Sequence, residues 1–310
     1  MSVISVIIPT RNRLNRLVKT LSGLFRQNCL IDEVIVIDAS DNYDQVALCI
    51  KSFNLKYPGR VVLIKAGIRG AAVQRNSGMS LACGKYVLFL DDDIDFIGDS
   101  CIGDLIYFLE HNPDYSGVSV VIKNQFPAKI GRITRFILSL IDGELFSKKN
   151  YGGTLIGPAL NFLPTMDLLK DTVLEVQWLN TTCTLYRNEH LPVPVFDSVF
   201  TGYSLMEDVT LSIRVAKKGR LAILRDALIF HDTQPGDHKS NLCKLAKMGL
   251  VNRDYVARKI MNRDGVSYWW GLIIWECFQV CATLASRSQR QSIFSVLKGK
   301  TSAFWQILRA

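Results

Sequence analysis

The sequence predicts an α/β fold built on a mainly parallel central sheet, followed by a helical extension at its C-terminal end. Three observations predict it. Apolar runs of strand length alternate with segments of helical periodicity through the first half of the chain. Carboxylates gather where those runs end. The composition then changes abruptly near residue 238.

Taken in order, Val3–Ile8 is an apolar run closed by Pro9, and Leu14, Leu17, Val18, Leu21, Leu24 and Phe25 recur at helical spacing behind it. Val34-Ile35-Val36-Ile37 reads as a second buried strand ending at Asp38, and Val61-Val62-Leu63-Ile64 as a third. Ala71–Ala82 fits a helix with Gly84 near its C-cap, and Tyr86–Leu90 is the fourth strand. From about Gln125 to Gln177 the periodicity weakens among loop signals such as Gly152-Gly153 and Gly157-Pro158, which suits a substrate-facing region. Thr182–Tyr186 is again a strand, Val209–Lys218 a helix ended by Gly219, and Leu221–Leu224 and Ala227–Phe230 further strands. The body is expected to close near His238. Beyond it, Leu242–Met261 is a basic helix, and Tyr268–Leu284 an apolar run carrying Trp269, Trp270 and Trp275 but broken by Glu276 and Gln279, short for a membrane span.

At 310 residues the chain can bury a substantial core. Its formal charge is +9, yet residues 239–310 hold 12 Lys/Arg against 3 Asp/Glu, so the first 238 residues are neutral. That placement argues against a nucleic-acid groove on the body and points the basic tail towards an anionic membrane or polymer, with a solvated face or packing on the body or on a second subunit as the plainer outcomes. Trp beside Arg287, Arg290, Lys298 and Lys300 suits an interfacial helix. The eight cysteines include no pair at CxxC spacing and read as buried free thiols. No signal-peptide pattern precedes Val3, so a cytoplasmic location, peripheral on the inner membrane face, is expected.

The densest chemistry is Val87-Leu88-Phe89-Leu90-Asp91-Asp92-Asp93. Three adjacent carboxylates repel one another unless a hard cation takes their oxygens, although an acidic turn is the alternative reading. In parallel sheets ligands bind beyond the carboxyl ends of the strands, where Pro9-Thr10-Arg11, Asp38 and Asp91–Asp93 all fall.

Four segments in this order, Ser5-Val6-Ile7-Ile8-Pro9-Thr10-Arg11-Asn12, Ala71-Ala72-Val73-Gln74-Arg75-Asn76-Ser77-Gly78, Phe89-Leu90-Asp91-Asp92-Asp93 and Glu207-Asp208-Val209-Thr210-Leu211, resemble the family 2 glycosyltransferases. Those are inverting enzymes of the GT-A fold that use nucleotide-sugar donors, and the resemblance covers roughly residues 3–232. It implies a GT-A catalytic domain at 1–238, with donor binding in about 1–124 and acceptor and catalytic functions in about 125–238, and a membrane-surface tail at 239–310.

The resemblance also assigns roles. Asp93 matches the last acid of the DxD motif and is the first metal ligand for Mn²⁺ or Mg²⁺. Asp91 faces the ribose or the metal's water shell, Asp92 points away, and His231 completes the metal shell or is simply hydrogen-bonded. Asp38 accepts a hydrogen bond from a ring N–H of the base, which favours UDP or dTDP over GDP, unless it caps its turn. The family usually continues there with an acid or Asn and Gly-Ser, where this chain has Ala39-Ser40-Asp41. Arg75 holds the base or a phosphate, Pro9 and Thr10 supply backbone at the base pocket, and Arg11 reaches phosphate or is solvated. Asp208 is the candidate general base, at a helix start where an N-cap Asp is also at home, and Glu207 orients it. Trp178 and Asn180 are candidates for the acceptor side. The implied reaction is sugar transfer to a glycan or lipid-linked acceptor in surface polysaccharide or glycolipid synthesis. A sugar-nucleotide nucleotidyltransferase is the alternative, though the loop after the first strand lacks glycine, as is an inactive scaffold, against which the retained acids speak.

Overall fold

A computed structural model describes residues 4–57, 60–125, 130–144, 150–164, 171–233, 241–286 and 290–309. The expected close of the body near His238 and the tail's Arg287 lie outside these residues. Two compact units divide the chain, residues 1–126 with 166–234, and residues 127–165 with 235–310.

The first unit is a nine-stranded sheet. β1 (Ile4–Thr10), α1 (Leu14–Leu24), β2 (Glu33–Asp38), α2 (Tyr43–Lys56), β3 (Val61–Lys65), α3 (Ala71–Met79) and β4 (Tyr86–Leu90) follow the alternation of the sequence. The order β3-β2-β1-β4 is parallel throughout, as crossover helices require. β1 and β4 are buried at every position, so their apolar runs are continuous and do not alternate. Gly84 precedes β4 because a Cβ there would lie 2.6 Å from the Ser5 backbone nitrogen. It does not cap α3, which ends at Met79.

Next come β5 (Ile94–Ile97), α4 (Cys101–His111) and β6 (Tyr115–Ile122), then β9 (Val173–Val176), β10 (Cys183–Arg187), α6 (Glu207–Val215) and β11 (Arg220–His231). β10 runs antiparallel between β4 and β6, and β11 lies parallel to β6. β5 and β9 both pair antiparallel with β11, so most strands still run one way. The two strands expected after Gly219 are one, bent by a register shift between Leu224 and Leu228 where Arg225 and Asp226 pair outward. The core is packed from Leu17, Leu21, Val34, Val36, Leu88, Ile102, Leu105 and Leu185 on and between these elements.

The second unit contains α5 (Arg132–Asp142), the ribbon β7 (Leu155–Ile156) and β8 (Leu160–Asn161), α7 (Leu242–Tyr255), α8 (Val266–Ala285) and α9 (Ile293–Leu308). A π-helical turn, Val256–Ile260, continues α7. Leu138, Tyr151, Ile156, Leu160 and Trp275 form its core. Gly299 lets α9 lie directly on α7, since a Cβ there would collide with the Cys243 carbonyl. Glu276, which breaks the apolar run of α8, is buried and paired with Arg253 of α7 at 3.2 Å and with Lys300 of α9. The cysteines are free, but Cys83, Cys277 and Cys281 are exposed, against the expectation of burial; Cys83 lies in the loop before β4 and the other two on outward positions of α8.

Candidate active site

The site lies where β1, β2 and β4 end side by side. Register places Thr10 beside Asp38, and β4 delivers the chain to Asp91, whose N–H donates to the Thr182 carbonyl at 2.9 Å. Gln74 of α3 ties the edge together, donating to the carbonyls of Thr10 at 3.1 Å and Ile37 at 2.7 Å.

Asp38 is 1% exposed. Its Oδ1 accepts from the backbone N–H of Ser40 at 2.8 Å and from the Ser40 hydroxyl, while Oδ2 is buried with no hydrogen-bond partner. The turn is thus capped by one oxygen and the other is left for a donor, a costly state unless a ligand supplies one. Pro9 and Thr10 are buried beside it and Arg11 is exposed.

The three acids have separate environments. Asp92 is held by the Thr10 hydroxyl at 2.6 Å and by Arg13 Nη1 at 3.1 Å, and burial pushes its carboxyl up to about 6. Asp93 receives the same Arg13 nitrogen at 3.0 Å and His231 Nε2 at 2.9 Å. Asp91 faces the other way, to Arg75 Nη2 at 2.7 Å, with its carboxyl raised mainly by desolvation. The Thr20 hydroxyl fixes the backbone beneath them through the carbonyls of Asp92 and Ile94.

His231 arrives through β-sheet register. It is the last residue of β11 and pairs with Ile94 of β5, directly after Asp93. The Gln125 side-chain amide lies 2.8 Å from its Nδ1 and orients the ring so that Nε2 faces Asp93 at 2.9 Å. Single atoms of Asp91, Asp93 and His231 all lie within 4.8 Å of one another. Two carboxylates and an imidazole so placed fit a divalent ion such as Mn²⁺.

Arg75, 3% exposed, connects this cluster to the start of α6. Besides Asp91 it holds Glu207 Oε1 at 3.3 Å. It is a buried bridge where the sequence suggested a donor ligand or a surface residue. Met206, at φ +76°, turns the chain into α6, so Asp208 stands in the first helical turn and is not the N-cap. Its Oδ1 accepts from the Val209 N–H at 2.8 Å. Burial raises both carboxyls of the pair, and the charge of Asp208 adds to the rise at Glu207.

Trp178 is 6% exposed and its ring N–H is buried without a partner; Asn180 accepts from the Thr182 N–H at 3.2 Å. Arg13, Gln74 and Gln125 were not singled out by the sequence. Arg13 lies two residues past the Pro9-Thr10-Arg11 stretch and Gln74 immediately before Arg75, so proximity to motifs was the available signal.

The family model described as Glycosyl transferase family 2 matches residues 5–174. Over 119 residues the chain is 34% identical to the poly(ribitol-phosphate) beta-N-acetylglucosaminyltransferase TarP of Staphylococcus aureus, covering 37% of this chain and 35% of that protein. The stretch matched in an uncharacterized Rickettsia conorii glycosyltransferase spans only 19% of its length. Among solved structures, S. aureus TarS 1–349 in complex with UDP-GlcNAc aligns with a TM-score of 0.61 at 17% identity, over 96% of this chain and 79% of that one. Mannosyltransferase PcManGT from Pyrobaculum calidifontis, in complex with GDP-Man and Mn²⁺, gives 0.61 at 14% identity over 98% and 88%. The fold is the GT-A fold that the motifs imply.

Proposed function

The chain belongs to glycosyl transferase family 2, and on that premise we propose that it moves a sugar, with inversion, from a nucleotide diphosphate to a hydroxyl of a glycan or lipid-linked acceptor in surface-polymer synthesis. The observation that carries the reading is the link Asp91–Arg75–Glu207, which joins a cation-ready acid cluster to a second carboxyl pair inside one buried network. Transfer needs both charge neutralisation at the leaving diphosphate and a base across from it.

Residues up to about 124 take the donor, and about 125–238 serve acceptor binding and catalysis. The free Oδ2 of Asp38 accepts a ring N–H, which suits the uracil of UDP or the thymine of dTDP better than GDP. The UDP-GlcNAc complex of TarS supports a uridine nucleotide. Asp91, Asp93 and His231 would hold Mn²⁺ or Mg²⁺, which when bound supplies a Lewis acid for the diphosphate. Arg13 keeps Asp93 oriented through its own contact and that of Asp92. Asp208 takes the acceptor proton as its oxygen attacks the anomeric carbon and the bond to phosphate breaks. Its raised carboxyl suits a base working near neutral pH, and Arg75 steadies Glu207 beside it. Trp178 and Asn180 line the acceptor side. Residues 239–310 bring the enzyme to an anionic membrane surface on the cytoplasmic face, where a lipid-linked acceptor is presented; among the described residues no helix is long and apolar enough to cross a membrane.

Calorimetry with UDP, dTDP, GDP and CDP, in Mn²⁺ and then in excess chelator, tests the donor assignment. Metal-dependent binding of UDP or dTDP is expected; folded protein that binds none of the four overturns it.

A further inference from the structure

Residues 239–310 turn two of their acids inward and much of their oil outward. Residues 239–310 hold three acids. Glu276 is buried against Arg253 and Lys300, and Asp254 is buried against Arg258 and the Tyr268 hydroxyl. Only Asp264 remains on the surface, among many cations. On the 20-residue helix α8, the outward residues Val266, Trp270, Ile273, Cys277, Cys281 and Leu284 follow three- and four-residue steps and form a stripe without charge. Phe294, Leu297, Trp305 and Leu308 form a second stripe on α9 and are 38–82% exposed.

The two stripes face the same way. Trp269 meets Phe304 and Glu276 meets Lys300, so α8 and α9 run antiparallel. At about 100° per residue, each stripe lies roughly 80–90° around its helix from that contact, in the same sense of residue count. For antiparallel helices this puts both stripes on one side of the pair, an apolar platform about 27 Å long. On the flank of α9 away from α8 opens a recess of 480 Å³, lined by Lys247, Ser302, Trp305, Gln306 and Arg309. It holds two cations, two neutral hydrogen-bonding groups and no acid, and the Arg309 guanidinium stands 5.9 Å from the Trp305 ring centre.

We propose that this platform docks on an anionic membrane, with the recess holding the phosphate of a lipid headgroup between Lys247 and Arg309. Trp305 belongs to both the stripe and the recess, so it sits at headgroup depth, where indole rings are favoured. A second copy of the chain is a poor occupant, because residues 239–310 carry 12 Lys/Arg and set a single exposed acid, Asp264, against them. The proposal rests on the membrane-surface reading above and adds the residues that make the contact.

The test uses the full chain and vesicles of phosphatidylglycerol or of phosphatidylcholine, read by flotation and tryptophan emission, with near-ultraviolet circular dichroism as the check of fold. Binding to phosphatidylglycerol that weakens with salt is expected. The double variant K247Q/R309Q should bind on the order of thirtyfold more weakly, two surface cations at about fivefold each. W270E/I273E should abolish binding, whereas K217Q/K218Q, two exposed cations of the first unit, should change it less than twofold. If the unaltered protein floats with neither vesicle, the membrane reading and this proposal fall together. If it floats and W270E/I273E does not, but K247Q/R309Q is unimpaired, the headgroup site alone is wrong. An emission shift with inorganic phosphate equal to that with vesicles would replace the lipid by a free anion and overturn the assignment.

Discussion

Replacing Arg75 with methionine removes the cation that pairs with both Asp91 and Glu207 while keeping the apolar stem that lies near Phe196. Breaking a buried ion pair by deleting one partner costs about 3–5 kcal/mol, because the other charge stays buried. Two features lower that figure here. About a quarter of the Asp91 side chain reaches solvent, and Glu207 already has a raised carboxyl that protonates readily. We therefore expect about 3 kcal/mol at pH 8, measured in chelator by urea denaturation and circular dichroism. The cost depends on pH with a definite sign. Both carboxyls sit above their ordinary values in the folded protein, and losing Arg75 lifts them further, since its charge lowers each. Such groups destabilise the fold when ionised and cease to do so as pH falls through their folded pKa. The difference between variant and wild type should therefore be smaller at pH 4.5 than at pH 8, because carboxyls held above their ordinary range take up protons as pH falls. An equal loss at both pH values would show that Arg75 acts through packing, and a loss below about 1 kcal/mol at pH 8 would show that it does not compensate these acids.

Asp93→Ala should abolish metal-dependent UDP binding in a protein that remains folded, and unchanged affinity in calorimetry would remove Asp93 from the metal site. Asp208→Asn should keep donor binding and lower turnover by about 10²–10⁴, so near-normal turnover would place the base elsewhere. In the unaltered enzyme kcat/KM should fall as pH drops through a value above the ordinary carboxylate range, because the base must be ionised and burial holds Asp208 high. Gln125→Ala should weaken Mn²⁺ binding on the order of tenfold, read by titration followed by electron paramagnetic resonance, since it removes the group that fixes the His231 ring. Retained affinity would mean that the Asn124 contacts with the His231 backbone suffice.

Cutting the chain after residue 238 to test the tail is a poorer experiment than its sequence suggests. Trp275 of α8 lies in one core with Leu138, Tyr151, Ile156 and Leu160, which precede the cut by many residues. Truncation would therefore uncover that core as well as remove the basic helices. The apolar run broken by Glu276 reads in sequence as a marginal interfacial helix. In the fold its buried face is accounted for by α5, α7 and α9, and only its outward stripe is left for a membrane.

Features that depend on local order are legible in the linear chain. A strand buried on both faces must be apolar throughout, so β1, β2 and β4 and the acids that end them were visible as runs followed by charge. The shared edge of Thr10, Asp38 and Asp91 follows from parallel strands that start together. β6 and α4 carry equally apolar segments but were not distinguished, because no motif flagged them. Tertiary structure alone decided the partners. His231 reaches Asp93 through the β5–β11 pairing, Gln125 reaches His231 across a separation of 106 residues, and Arg75 meets Glu207 across 132. Hydrogen bonds and ion pairs have a reach of about 3 Å, and a linear pattern carries no register between distant strands. The chain therefore announced which acids it holds at its strand ends, and only the folded sheet chose the cation, amide and imidazole that face each one.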